Sequence, residues 1–206
     1  MVKGSSKNNW LTRQHKDPYV KRAQQSHYRS RAVFKLIEID DKDHLFQQGQ
    51  SVIDLGAAPG SWSQYVSEKI GHQGRLIAID ILPMDPIVNT LFINGDFTEQ
   101  SVVEECLQAM NYGKADLVIS DMSPNLSGIR ATDQARSLHL AELSFDLAKS
   151  VLKQGGDMLV KLFEGEGTDI YRHDLKEHFI KIIVRKPKAS RDDSREFYVL
   201  ARTFRL

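Results

Sequence analysis

Short apolar runs alternate with amphipathic stretches along most of this 206-residue chain. Apolar runs of strand length that alternate with helical patterns are typical of an α/β fold built on a parallel sheet. Five such runs are followed by two more, at 181–185 and 196–202, whose connecting loop is too short to hold a helix. Strands joined in this way pair antiparallel. The pattern therefore predicts a seven-stranded, mostly parallel sheet with a C-terminal antiparallel hairpin and helices on both faces.

The same periodicity predicts the bounds of the elements. Strands are expected at 51–55, 75–80, 90–94, 116–120, 157–163, 181–185 and 196–202, and helices at 10–23, 32–40, 61–70, 99–110, 133–152 and 168–179. The pair Gly155-Gly156 is expected to end the long fifth helix. We further expect a basic N-terminal extension over residues 1–31, with its first nine residues disordered, and a single domain over residues 32–206.

The stretch Ser51-Val-Ile-Asp-Leu-Gly-Ala-Ala-Pro-Gly-Ser-Trp62 predicts a strand, a ligand-binding turn and the start of a helix. Glycines in the turn let a ligand approach bare backbone, and the free N–H groups of a helix beginning near Ser61 favour a carboxylate or phosphate. The next strand ends in Asp80, about 20 residues after the turn, where doubly wound folds place the acid that binds ribose hydroxyls. Together these features predict a nucleotide-type cofactor.

Two common nucleotide motifs are absent from the sequence. Neither G-x-G-x-x-G nor G-x-x-x-x-G-K-[ST] occurs, which argues against NAD and ATP as the cofactor.

Acidic side chains lie at or near the ends of successive strands, at the edge of a parallel sheet where ligands bind. Asp54 lies within the first strand, and Asp80, Asp96 and Asp121 follow the second, third and fourth. Negative charge at this edge suits a sulfonium, an amine or ribose hydroxyls. In the fifth run Lys161 is a cation within an apolar strand, which is costly unless the charge is paired or lies near the open edge. Lys161 is therefore a candidate functional residue.

Composition narrows the class of protein. Cys106 is the only cysteine, so the chain can form no intrachain disulfide or thiolate metal cluster, and we expect it to be a small core residue. The seven histidines are not grouped at ligand spacings, and no metal is predicted. No apolar run approaches the roughly 18 residues of a membrane span, and no signal peptide is evident. We expect a soluble, cytoplasmic monomer.

The formal net charge of +1 conceals a strong asymmetry. Residues 1–31 hold eight Lys and Arg against one acid, residues 181–206 hold eight against three, and the remainder holds twelve against twenty-three. Basic termini that flank an acidic body predict a binding surface for a polyanion. The aromatic residues among these bases, Tyr19 and Tyr28, could stack on RNA bases or pack against the domain, and we favour packing.

The turn Asp54-Leu-Gly-Ala-Ala-Pro-Gly-Ser-Trp62 resembles the first motif of S-adenosylmethionine-dependent methyltransferases, in the form used by the FtsJ/RrmJ family of RNA ribose 2′-O-methyltransferases. The resemblance extends over nearly the whole chain. It includes Arg29-Ser-Arg-Ala32, Leu82-Pro-Met-Asp-Pro86, Gly95-Asp-Phe97, Ser120-Asp-Met-Ser-Pro-Asn125, Val160-Lys-Leu-Phe163 and Ser194-Arg-Glu196. A match of this extent points to the branch of the family that modifies bacterial large-subunit ribosomal RNA.

The resemblance implies a role for each site residue. The family's catalytic Lys-Asp-Lys-Glu tetrad corresponds to Lys35, Asp121, Lys161 and Glu196, with Lys161 as the general base. The residues implied to bind the cofactor are Gly60 and Trp62 by direct contact, Asp80 at its ribose, Asp96 near its adenine and Asp121 near its methionine end, with packing as the alternative role of Trp62. Ser61 departs from the family pattern, since relatives carry a second glycine there. Asp54 is expected to hold backbone N–H groups of the turn.

The resemblance implies a methyltransferase domain with a Rossmann-like fold. It implies S-adenosylmethionine-dependent 2′-O-methylation of a uridine ribose in 23S ribosomal RNA on the assembled 50S subunit. The RNA is expected to contact the basic terminal segments at Arg29, Arg31, Lys186 and Arg195. Two alternatives stay open: a 2′-O-methyltransferase that acts on tRNA or another RNA, and a catalytically silent RNA-binding factor of ribosome assembly that kept the fold.

Overall fold

A computed structural model describes residues 17–111, 113–191 and 194–205. It contains seven strands: β1 (Ser51–Leu55), β2 (Arg75–Asp80), β3 (Thr90–Asn94), β4 (Ala115–Ser120), β5 (Leu152–Phe163), β6 (Phe179–Arg185) and β7 (Glu196–Phe204). They form one sheet in the order β3-β2-β1-β4-β5-β7-β6. The first five strands are parallel, and β7 pairs antiparallel with both β5 and β6. The predicted sheet and its C-terminal hairpin are confirmed.

Helices cover both faces of the sheet. They are α1 (Pro18–Gln25), α2 (Val33–Asp43), α3 (Ser61–Ile70), α4 (Gln100–Ala109), α5 (Arg130–Val151) and α6 (Thr168–His178). Apolar side chains of the first three helices pack on one face of the sheet, and those of the last three pack on the other. Cys106 is fully buried in the second of these clusters, which confirms it as a small core residue. None of the helices in the described residues is both long and apolar enough to cross a membrane.

The chain order places a ligand cleft between β1 and β4. From β1 the chain runs outward to β2 and β3, and it then returns to place β4 on the other side of β1. Connections leave neighbouring strands in opposite directions at such a point, so a crevice opens at their C-terminal ends. Asp54 and Asp121, at the ends of these two strands, lie at this crevice.

The start of β5 differs from the prediction. The long helix ends at Val151, one residue before its predicted end, but β5 begins at Leu152 rather than at residue 157, so Gly155 and Gly156 lie within the strand and do not close the helix. The pairing of β5 with β4 shifts between Ala115 and Leu117, which face Leu152 and Asp157. This shift leaves extra residues on β5, and one of them, Gly155, has a φ of +81°. The glycine therefore serves a bulge, which needs the same positive φ as a helix C-cap.

The N-terminal extension is described only from residue 17, so the predicted disorder of residues 1–9 and the first part of the predicted helix at 10–23 concern residues outside the described ones. Asp17 caps α1 by accepting the Tyr19 N–H at 2.9 Å. The rings of Tyr19 and Tyr28 pack against Phe34 of α2, with centroids 5.6 and 6.4 Å away. These contacts confirm that the two tyrosines pack against the domain.

Candidate active site

The turn between β1 and α3 brings bare backbone to the sheet edge. Gly60 has φ +101°, and a Cβ there would lie 2.6 Å from Met84 Sδ, 2.7 Å from Arg29 Nη1 and 2.8 Å from Ile87 Cδ1. A Cβ on Gly56 would lie 2.1 Å from Met122 Cγ. Side chains from the loops after β2 and β4 therefore close on the turn, and both positions require glycine for conformation and for space.

Two of the predicted cofactor acids accept hydrogen bonds from backbone N–H groups at the sheet edge. Asp80 accepts the Ala58 N–H through Oδ2 and the Leu82 N–H through Oδ1, each at 2.8 Å. Asp96 accepts the Thr98 N–H at 2.9 Å. Both acids are half-buried at the C-terminal ends of β2 and β3. Asp80 thus has the role of holding the turn that was expected for Asp54.

Asp54 is 1% exposed and accepts a hydrogen bond from the Ser63 hydroxyl at 2.6 Å, rather than from a backbone N–H. Burial raises the pKa of Asp54 to about 7, the Ser63 hydrogen bond opposes the shift, and the charges of Asp121 and Asp80 add to it. Desolvation disfavours the ionised form of a carboxyl group. Asp54 is therefore partly protonated at neutral pH, on the wall of a small cavity that Gly56, Trp62 and Asp121 also line.

Trp62 is a packing residue as well as part of the cavity wall. Its indole is 3% exposed, donates its N–H to the Ala32 carbonyl at 2.9 Å and lies 5.8 Å from the Tyr198 ring. The tryptophan thereby joins α3 to the start of α2 and to β7.

The four residues of the predicted tetrad come together from four separate elements. Lys35 of α2 lies 2.8 Å from Glu196 of β7, and Lys161 of β5 lies 3.0 Å from Asp121, just after β4. Lys35 Nζ is also 3.9 Å from the same Asp121 oxygen, Oδ1. The side chain of Lys161 is 4% exposed, and the other three are below 20%. The two ion pairs therefore form one buried group.

Tyr198 completes this group and was missed by sequence reasoning. It lies opposite Lys161 in the β5 and β7 pairing and donates its hydroxyl to Asp121 Oδ1 at 2.5 Å. Burial raises the pKa of Tyr198 well above its ordinary value, and the charges of Asp121 and Glu196 raise it further. Tyr198 is therefore a neutral donor. Its position could have been found from the alternation of β7, because residues two apart face the same side.

Asp121 is the acceptor shared by the whole group. It also accepts from Lys161 Nζ through its backbone carbonyl. Burial raises the pKa of the Asp121 carboxyl, but the charges of Lys161 and Lys35 and the Tyr198 hydrogen bond outweigh it and hold that pKa below its ordinary value. Asp121 is thus a carboxylate with several donors, and it orients both lysines.

A larger open cavity of about 430 Å³ lies beside the tetrad. Its walls include Lys35, Glu196, Arg31, Ser123, Leu126, Phe163, Arg191 and Ser194. Its volume is in the range of small-ligand sites. Its walls combine apolar and basic side chains, which suit the ring and the phosphate of a nucleotide. Within the described residues no His, Cys, Asp and Glu side chains are grouped so that they could hold a metal ion.

Most of the four basic residues predicted to contact RNA bind the protein itself. Arg29 donates to the carbonyls of Pro59, Asp85 and Pro86, and Arg31 donates to Asp17 and to the Ala189 carbonyl. Lys186 donates to the carbonyls of Ser194 and Glu196 at 2.5 and 2.7 Å. Arg195 is exposed beside the larger cavity.

Comparison with known proteins places this site in a family. The family model of FtsJ-like methyltransferases matches residues 28–204. The chain is 54% identical to the ribosomal RNA large subunit methyltransferase E of Pseudomonas fluorescens, over 100% of this chain and 98% of the relative. The same-named protein of Pseudomonas aeruginosa is also 54% identical, with 100% and 99% covered.

Solved structures show the same architecture. A putative ribosomal RNA methyltransferase from Plasmodium falciparum is 31% identical with a TM-score of 0.78, covering 86% of this chain and 98% of that one. The MycE methyltransferase of mycinamycin biosynthesis, in complex with Mg and SAH, is 14% identical with a TM-score of 0.55, covering 84% and 47%, and shows the fold alone. By its sequence and its fold, the chain belongs to the FtsJ-like methyltransferase family.

Proposed function

We propose that this chain transfers a methyl group from S-adenosylmethionine to a ribose 2′-hydroxyl of large-subunit ribosomal RNA. The observation that carries the proposal is the buried group of Lys35, Asp121, Lys161 and Glu196: its Asp121 lines the small cavity beside the turn, here called the cofactor cavity, and its Lys35 and Glu196 line the larger cavity. The family membership and the names of the 54% identical relatives support ribosomal RNA as the substrate. The finer target is a uridine of 23S RNA on the assembled 50S subunit.

The residues at the turn fit the proposed cofactor. S-adenosylmethionine carries a methyl group on a positively charged sulfur and supplies it to the acceptor oxygen. Gly56, Ala57 and Ala58 of the turn line the small cavity, where their backbone can lie close to a ligand, and the acids at the strand ends offer negative charge to ribose hydroxyls and to the sulfonium. The residues that would hold the cofactor are Gly60, Trp62, Asp80, Asp96 and Asp121.

The larger cavity fits the acceptor nucleotide. Lys35 and Glu196 line it and also belong to the tetrad, so a ribose held there lies beside the catalytic group. Correct placement of the acceptor oxygen supplies much of the rate of a displacement reaction. Phe163 and Leu126 offer apolar contact to a base, and Arg191 offers a cation to a phosphate.

Lys161 is the proposed acceptor of the 2′-hydroxyl proton. As the 2′-oxygen forms its bond to the methyl carbon, the carbon–sulfur bond of the donor would break to leave a neutral thioether, and the hydroxyl proton would pass to the Lys161 amine, which must first have lost a proton of its own. Asp121, 3.0 Å from Lys161 Nζ, and Glu196, 2.8 Å from Lys35 Nζ, orient the two lysines.

Transfer of labelled methyl groups tests the proposal. The acceptors are unmodified 50S subunits, naked ribosomal RNA and tRNA, and the modified position is mapped by its resistance to alkaline cleavage. We expect label on the 50S subunit, at a uridine. Label on tRNA alone would support methyl transfer to RNA but would contradict ribosomal RNA as the substrate. Cofactor binding without label on any RNA would favour the silent assembly factor instead.

RNA binding is expected to depend on Arg195 more than on Lys186. Arg195→Glu places an acid at an exposed position between Ser194 and Glu196, which line the larger cavity, and should weaken RNA binding. The salt dependence of log affinity should become shallower by about 0.7 for each phosphate that the protein no longer neutralises. Lys186→Glu should chiefly destabilise the fold, because Lys186 holds the carbonyls of Ser194 and Glu196.

Lys42→Glu is the matched control for this measurement. Lys42 is exposed in the last turn of α2, away from the larger cavity. Equilibrium RNA binding across a salt series compares the three variants with wild type. Equal loss of affinity in Arg195→Glu and Lys42→Glu would mean that the RNA does not lie beside the larger cavity.

A further inference from the structure

The segment between α1 and α2 lies across the start of α3. Arg29 donates its backbone N–H to Gln64 at 2.9 Å, and Gln64 donates to the His27 carbonyl at 3.1 Å. The Ser30 and Ser61 hydroxyls are 2.7 Å apart. Because Ser61 is the first residue of α3, the segment is attached to the end of the turn that faces the cofactor cavity.

The Arg29 side chain joins two loops of that cavity. Its guanidinium donates to the Pro59 carbonyl at 3.0 Å, and to the carbonyls of Asp85 and Pro86 at 2.8 and 2.9 Å. Pro59 lies in the turn after β1, whereas Asp85 and Pro86 lie in the loop after β2. A planar guanidinium with donors fixed in a fork can hold three carbonyls of separate loops at once.

Glycine at position 60 leaves the space that Arg29 occupies. A Cβ on Gly60 would lie 2.7 Å from Arg29 Nη1, closer than real side chains approach. The guanidinium therefore lies directly against the turn, where three of its five donors bind backbone carbonyls.

We propose that Arg29 is a positioning residue for the methyl donor: it holds the turn at 56–60 against the loop at 82–87 and so shapes the cofactor cavity, and it does not contact RNA. This inference rests on the proposed function, because it assumes that the cavity takes S-adenosylmethionine. Arg31, two residues later, lines the larger cavity instead and donates to the Ala189 carbonyl. Its replacement should therefore affect binding of the acceptor RNA and not binding of the cofactor.

The positioning role proposed for Arg29 depends on the planar geometry of its guanidinium and not on its charge alone. A lysine at position 29 would keep the positive charge but could not present donors in the fork that spans the three carbonyls. Arg29→Lys should therefore lose most of what Arg29→Ala loses. A phosphate contact would behave differently, because lysine binds phosphate as a point charge.

Titration calorimetry with S-adenosylmethionine and a filter assay with labelled ribosomal RNA test the inference on Arg29→Ala, Arg29→Lys and Arg31→Ala. We expect both Arg29 variants to bind the cofactor about tenfold more weakly or worse, as for loss of charge-assisted hydrogen bonds, with RNA affinity unchanged. Arg31→Ala should show cofactor affinity equal to wild type. In steady-state kinetics, the KM for the cofactor should rise in the Arg29 variants while the KM for RNA stays constant.

The outcomes separate this inference from the proposed function. Wild-type protein that binds no S-adenosylmethionine would overturn the proposed function itself. Wild-type cofactor affinity in the Arg29 variants, or a loss of RNA affinity that Arg29→Lys restores, would overturn the positioning role. Thermal melting of each variant identifies global unfolding, and Arg29→Lys keeps the test decisive if Arg29→Ala does not fold.

Discussion

Replacing Lys161 with arginine is expected to lower the rate of methyl transfer by about 10²- to 10⁴-fold, the usual contribution of a general base. Arginine keeps a cation beside Asp121 but cannot give up its proton at any pH where the protein is folded. If Lys161 accepts the 2′-hydroxyl proton, Lys161→Arg should be nearly as inactive as Lys161→Ala. Single-turnover transfer to 50S subunits, at saturating cofactor and RNA, measures the step directly.

Lys35→Arg is the matched comparison for this experiment. Its cation can still pair with Glu196, so the variant should lose less activity than Lys161→Arg. Cofactor and RNA binding are measured on both variants, so that a lost rate is not mistaken for lost binding. Substantial activity in Lys161→Arg would show that Lys161 acts as a fixed charge that orients the ribose, and another group would then have to take the proton.

Asp54→Asn is expected to remove a large part of the pH dependence of stability. Asp54 titrates near 7 in the folded chain, above the ordinary value of 3.8. The stabilisation from its bound proton is complete below the ordinary pKa and is lost as the pH rises through 7. Relative to wild type, the variant should gain roughly 2 to 3 kcal/mol in the free energy of unfolding between pH 5 and pH 8.

Urea denaturation of cofactor-free protein at four pH values between 5 and 8 measures this gain. Ser63→Ala is the control, since it removes the hydroxyl that lowers the Asp54 pKa but leaves the carboxyl in place. Its loss of stability should extend to higher pH than that of wild type. An Asp54→Asn variant that follows the wild-type pH profile would show that Asp54 is already ionised throughout this range.

The sheet could be predicted closely because its signals are local. Buried parallel strands are short apolar runs, and the helices between them have their own period, so the number and the kind of element follow from the pattern. The start of β5 could not be predicted. A positive φ at Gly155 serves a helix C-cap and a strand bulge equally well, and only the pairing of β5 with β4 distinguishes them.

The residues of the candidate site also differ in how far the sequence alone could identify them. Lys161 stands out in the sequence because a cation is unusual in an apolar strand, whereas Lys35 and Glu196 look like ordinary surface charges and were identified by the family resemblance. The alternation of β7 places Tyr198 on the same face as Glu196, but a tyrosine in a strand is common and its residue type alone does not mark it as functional. Its role depends on the pairing of β7 with β5, which sets it opposite Lys161 and beside Asp121.

The sequence by itself determined the kinds of element, the glycine turn and the excess of basic residues near both termini, because each depends on residue type and spacing. Only the tertiary structure decided which partners those bases have. Arg29, Arg31 and Lys186 count equally as positive charges in the sequence, yet folding brings backbone carbonyls within reach of all three. Donors near such carbonyls are satisfied within the protein, so charge alone could not separate the basic residues that bind the protein's own backbone from those that stay exposed.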